Sequence, residues 1–211
     1  MPTNTFENLA KDKKDKLLKA AMKEFSQKLF EDASINQIIK NAGISRGSFY
    51  TYFEDKEDIY FYIINYYDTN YRTKVINYLK NSNGDLLSAF VLAFREILKK
   101  SHNSEYKNLF KNVFLSLKII NHNKKPSDFH KKQDIFKEEL MSNINKSLYN
   151  LKNNEEYNDL IEILMIITNV SLTHSFIKEQ SLEDAVSSYT RKINMLKIGI
   201  IREEEKNETN I

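Results

Sequence analysis

The chain has 211 residues, 41% hydrophobic and 29% charged, a balance that is globular rather than disordered and long enough for a sizeable core. It holds four glycines, two prolines and no cysteine, which excludes disulfide frameworks and thiolate metal sites; so few turn residues argue for an all-α protein. A net charge of +3 does not by itself mark a nucleic-acid partner: residues 1–56 carry ten Lys or Arg against eight Asp or Glu, so any such signal must come from arrangement.

In chain order, the opening MPTNTFENLAKDKK is not a signal peptide. From Lys13 to about Lys28, Leu17, Leu18, Ala21, Met22, Phe25 and Leu29 form the apolar stripe of a first amphipathic helix. Ser34 is placed to cap a second, of barely two turns, with Ile35, Ile38 and Ile39 inward and Gly43 just past its end. Ser45 then caps a third short helix, with Ile44 and Phe49 spaced as a hydrophobic staple. Two short helices joined through Ala42, Gly43 and Ile44 have the form of a helix-turn-helix.

On a helical wheel the third helix separates cleanly. Phe49, Tyr52 and Phe53 gather on one side, Gly47, Ser48, Tyr50 and Thr51 spread over the other, and Arg46 stands at the edge. A recognition helix needs small or polar residues where backbone approaches base edges, and no carboxylate facing phosphates; residues 45–53 contain none. Arg46 suits guanine O6 and N7 or a phosphate, Ser48 a base edge, Tyr50 a thymine methyl or a phosphate. Gly47 costs roughly 0.5–1 kcal/mol of helix stability relative to alanine, which close approach to DNA would justify. Lys56, at the start of the next helix, and Ser34 outline a phosphate clamp on either side. A plain helical hairpin with Phe49 and Phe53 as core is the competing reading, and for those two phenylalanines core is the expectation.

KEDIYFYIINYYDTNYRTKVINYLKN predicts a long helix ending at the turn NSNGD, with further helices over 85–101, 103–120, 128–152, 155–179 and 182–203. Pro126 marks a loop, and REEEKNETNI is a polar tail. His102, His122, His130 and His174 lack the spacing of a zinc site, so neither a metal nor another cofactor is expected. No run of 18 apolar residues occurs, so no membrane partner and a cytoplasmic location are expected. Without a nucleophile elbow, a phosphate-cradling glycine loop or a cysteine nucleophile, an enzyme is not expected either.

Residues 16–60, KLLKAAMKEFSQKLFEDASINQIIKNAGISRGSFYTYFEDKEDIY, resemble the N-terminal DNA-binding domain of the TetR family of bacterial transcriptional regulators, without a gap. The resemblance implies base contacts from Arg46, Gly47, Ser48 and Tyr50, and phosphate contacts from Ser34, Thr51, Tyr52 and Lys56. It departs at Leu29, where the family usually has glycine: either the first helix runs on through Leu29 or its end is closed differently. The implied organisation is a DNA-binding domain over 1–56 and a helical-bundle ligand and dimerisation domain over 57–211. Tyr62, Tyr66, Phe90, Phe94, Phe110, Phe114 and His174 are candidates for lining an effector pocket, although such aromatic stripes also serve as plain core. Ile163, Ile167, Val170, Val186, Tyr189 and Ile193 are candidates for a twofold interface. The expected function is a ligand-responsive regulator, a repressor, that binds a near-palindromic DNA operator as a homodimer and is released by a small-molecule effector. The alternative is a small-molecule or partner-binding module of the same fold without sequence-specific DNA binding.

Overall fold

The computed structural model describes residues 2–102, 107–117 and 128–200. They form ten α-helices and one 3-10 turn, with no strand among the described residues. Four helices, α1 (Asn4–Glu7), α2 (Lys11–Gln27), α3 (Ile35–Ala42) and α4 (Arg46–Tyr52), pack with the first third of α5 (Lys56–Asn81) around one core. Leu17, Ala21, Phe25, Ile38, Phe49, Phe53, Ile59, Tyr60 and Ile63 are all at most 3% exposed there. Burying each large apolar side chain contributes about 1.5–3 kcal/mol, so the short helices are held by this core rather than by their own propensity.

The local closures follow from individual residues. Gly43 ends α3 in the left-handed region (φ 64°, ψ 38°), which lets Ile44 N donate to Ile39 O at 3.3 Å. Ser45 caps α4, its Oγ accepting from Ser48 N at 3.0 Å. Ser34 stands at the cap position of α3, but contrary to expectation its side chain makes no capping bond. Its own N–H donates instead to Glu24 Oε1 at 3.0 Å, so a carboxylate buried in α2 orients the entry to α3. Of the two alternatives for Leu29, the chain takes the second: α2 stops at Gln27, and Lys28 turns out of it in an extended conformation (φ −136°). No element is predicted before Lys13, yet α1 is helical and inserts Phe6, fully buried, between Phe53 and Tyr62 at ring-centroid distances of 4.6 and 5.3 Å.

The rest of α5 packs with α6 (Leu86–His102), α8 (Asp128–Asn143), α9 (Asn154–Ile177) and α10 (Leu182–Ile200) around a second core. Val75, Leu79, Phe90, Phe94, Leu140, Ile161, Leu164 and Tyr189 are its fully buried centre, with Phe94 stacked on Tyr189 at 4.0 Å. The helix predicted over 128–152 is interrupted: α8 ends at Asn143 and a 3-10 turn, Lys146–Leu148, follows. The reason is contact with the α5–α6 turn, where Gly84 O accepts from Asn145 N at 3.1 Å. A Cβ on Gly84 (φ 81°) would lie 2.3 Å from that nitrogen, so only glycine permits this approach. The other predicted helices shift by a few residues; the loop at Pro126, His122, the remainder of 103–120 and the polar tail lie outside the described residues.

Helix α7 (Lys107–Leu117) belongs to both cores. Its Leu109 is buried in the first, while its Phe110 stacks on Phe176 of α9 at 5.1 Å. Asn112 Nδ2 faces Phe25 O, Ser26 O and Lys28 O at 3.0, 3.1 and 3.2 Å, so an amide from the larger unit closes the carbonyl end of α2.

Candidate nucleic-acid interface

From Ala33 to Phe53 the chain carries no carboxylate, and its charged residues there are Lys40 and Arg46. Folding brings this stretch into one face. Ile38 of α3 and Phe49 and Phe53 around α4 anchor it to the core, which turns Asn36, Lys40 and Asn41 of α3 and Arg46, Gly47, Tyr50 and Thr51 of α4 outward.

The four predicted base-contact residues lie together on this face. Arg46 Nη1 donates to Asn36 Oδ1 at 2.9 Å and Nη2 to Tyr50 Oη at 3.4 Å, with the guanidinium carbon 5.5 Å from the centroid of the Tyr50 ring. Phe49 in turn meets that ring edge-on at 5.4 Å. The Ser48 hydroxyl shares a 2.8 Å bond with Ser45 Oγ. Around Gly47 there is open space: a Cβ would meet nothing nearer than Ser45 Oγ at 3.8 Å. Packing therefore does not require glycine at 47.

The predicted phosphate-contact residues flank the same face, several of them with intrachain partners. Thr51 Oγ1 donates to Gly47 O at 3.0 Å, and Tyr52 is half-buried against Phe6. Lys56 Nζ donates to Glu31 O and Ala33 O, both at 2.9 Å, and lies over the Phe30 ring at 4.7 Å. Two of its three N–H groups thus tie α5 to the α2–α3 connection just ahead of the half-buried Ser34. Two contributors escaped the sequence reading. Asn36 was legible as a polar residue opposite Ile38 on the wheel. Thr3, whose N donates to Tyr52 O at 3.0 Å and whose Oγ1 donates to Thr51 O at 2.7 Å, sits beside a one-turn helix too short to show any periodicity.

The predicted pocket residues are distributed rather than gathered. Phe90 and Phe94 are fully buried in the second core, Phe110 is half-buried on Phe176, Tyr66 is 58% exposed and His174 is exposed. Tyr62 packs in the first core, and burial, then the Glu7 carboxylate and Tyr66, raise its phenol above the ordinary range and keep it neutral. The side chains of Phe114 and His130 lie outside the described residues. A groove of about 930 Å³ between α6 and α10 is lined by Arg95, Lys99, Leu182, Met195 and their neighbours, and a pocket of about 50 Å³ by His102, Asn108, Lys111 and Ser175 among others; neither is lined by a predicted pocket residue, although Val186, predicted for the interface, borders the first. Helical spacing reports that a side chain is turned inward, not whether it meets a neighbour or a void.

The predicted twofold interface divides in the same way. Ile163 and Val170 are 41% and 46% exposed and continue through Ile166 as an outward stripe on α9, while Ile167 is half-buried. Val186, Tyr189 and Ile193 are buried within their own chain, because α10 turns that side onto α6 and α9; its outward apolar residues are Met195 and Ile198. By length and hydropathy, 1.6 on average over an 18-residue window, α9 is able to span a membrane, yet Tyr157, Leu160, Ile161 and Leu164 make it a core helix.

Comparison with known proteins places this architecture. Residues 17–63 match the domain described as bacterial regulatory proteins, tetR family, and residues 85–200 match the tetracyclin repressor-like C-terminal domain. The chain belongs to the TetR family of helix-turn-helix transcriptional regulators. It is 47% identical over 49 residues to the uncharacterized HTH-type transcriptional regulator YdgC of Bacillus subtilis, covering 23% of this chain and 25% of that one. It is 27% identical over 104 residues to the HTH-type transcriptional regulator AcrR of Shigella flexneri, covering 49% and 48%. The chain thus spans about a quarter to a half of the length of these curated relatives. A TetR-family regulator of Pectobacterium atrosepticum shares the fold over 96% of this chain and all of that one, with a TM-score of 0.62 at 16% identity.

Proposed function

We propose that the protein is a ligand-responsive transcriptional repressor that binds a near-palindromic operator as a homodimer and works in the cytoplasm. The observation that carries this reading is the carboxylate-free outward face of α3 and α4, anchored from behind by buried Ile38, Phe49 and Phe53. On it Arg46, Gly47, Ser48 and Tyr50 meet base edges, and Ser34, Thr51, Tyr52 and Lys56 meet the flanking phosphates. Residues 1–56 form the reading head and 57–211 the effector and dimerisation unit. Two copies pair through the outward apolar stripes of α9 and α10, Ile163, Ile166 and Val170 with Met195 and Ile198. The twofold axis sets two copies of α4 about 34–36 Å apart, one turn of duplex. An effector held in the bundle shifts α7, and with it α2, through Asn112; a coupling of about 1–3 kcal/mol suffices to release DNA.

The test is selection of bound sequences from random duplex DNA by the purified protein at two salt concentrations. A near-palindrome enriched at both is the expected result. Weak binding that vanishes with salt and enriches nothing would instead mark a binding module without sequence readout.

A further inference from the structure

We infer that Asn36 is a positioning residue for base readout: its amide oxygen, together with the Tyr50 hydroxyl, holds the Arg46 guanidinium in the orientation in which it meets a base. The inference rests on the proposal that Arg46 contacts a base.

Arg46 is the first residue of α4, where the helix dipole opposes a cation, and none of the described carboxylates pairs with it. Nothing in helix stability calls for arginine there. Its guanidinium is nevertheless tethered, by Nη1 to Asn36 Oδ1 at 2.9 Å and by Nη2 to Tyr50 Oη at 3.4 Å. Two of the five N–H donors of the fork are thereby engaged and three stay available to a base edge. An arginine fixed before binding loses less rotamer freedom on meeting DNA. The tether is moreover a neutral amide. A carboxylate would hold the guanidinium more tightly, but would cancel its charge and repel the phosphates alongside; asparagine supplies the acceptor and leaves the whole positive charge to the DNA. Asn36 is exposed, so its side chain is available to this task without a packing role.

The experiment is a double-mutant cycle on the full chain with Asn36→Ala, Arg46→Ala and the double variant, titrated against the selected operator and against duplexes changed at each base pair of one half-site. Asn36→Ala is expected to weaken operator binding about 5- to 10-fold and to flatten the preference at the same base pair that Arg46→Ala ceases to read. In the Arg46→Ala background it should change affinity by less than about 2-fold. Melting temperature and affinity for unrelated duplex should stay at wild-type values. An equal loss in both backgrounds, or a lost preference at a different base pair, would overturn the inference while leaving Arg46 in its role. An Arg46→Ala variant that binds the operator like the wild type would overturn the base-contact reading and this inference with it.

Discussion

At Gly47 helix stability and the proposed close approach to bases oppose each other. Alanine fits the space, with nothing closer than 3.8 Å to the added carbon, and would favour the helix by about 0.5–1 kcal/mol. Gly47→Ala is therefore expected to raise the stability of the protein by that amount in thermal denaturation, yet to weaken operator binding about 10-fold or more, because the methyl group would stand between backbone and bases. Unchanged operator affinity would mean that the backbone at 47 does not come near the duplex. Lys56 differs: its ammonium already meets two backbone carbonyls and the Phe30 ring, so under the proposed phosphate contact its replacement would disturb local shape and binding together.

Helix α4 has seven residues, too few to persist alone in water. It is held at one end by Ser45 and the Gly43 turn, and at the other by Thr3, which meets the carbonyls of Thr51 and Tyr52 that no later turn of helix satisfies. The first two devices are legible in sequence because caps and turns have local signatures. The third joins residues 48 apart, and Phe6 reads as one isolated aromatic until the fold encloses it. In the larger unit α5 and α6 are joined by Glu96, which accepts from both Lys74 and Tyr78. Those two bonds, Lys74 first, hold its carboxyl below the usual glutamate range. A carboxylate with a lowered folded pKa contributes stability above its unfolded value, about 4.3, and loses it as pH falls through the folded one. Glu96→Gln should accordingly cost about 0.5–1 kcal/mol in urea unfolding at pH 7 and progressively less as the pH falls below the unfolded value and through the folded one. A cost independent of pH would assign the contribution to shape rather than charge.

At the scale of the molecule, the outward stripe on α9 and the exposed end of α10 are more apolar than one chain's core demands. Ile166→Glu places a charge in the middle of that stripe without touching the buried side. It is expected to weaken self-association by about 30-fold, the effect of a central interface residue, with helicity unchanged and operator affinity reduced; sedimentation across a concentration series reads it. A dimer that persists would locate the twofold contact elsewhere. The amino-acid sequence by itself determined the all-helical class, the helix-turn-helix and the outward placement of Gly47, Tyr50 and Thr51, because caps, turns and a 3.6-residue period are local properties of the chain. Only the tertiary structure decided that Val186, Tyr189 and Ile193 serve their own core, that α1 closes α4, that α8 stops at Asn143 against Gly84, and that Asn112 joins the two units. Each of these depends on which distant segment supplies the other half of a contact, and periodicity tells only that a side chain turns inward, not what it meets there.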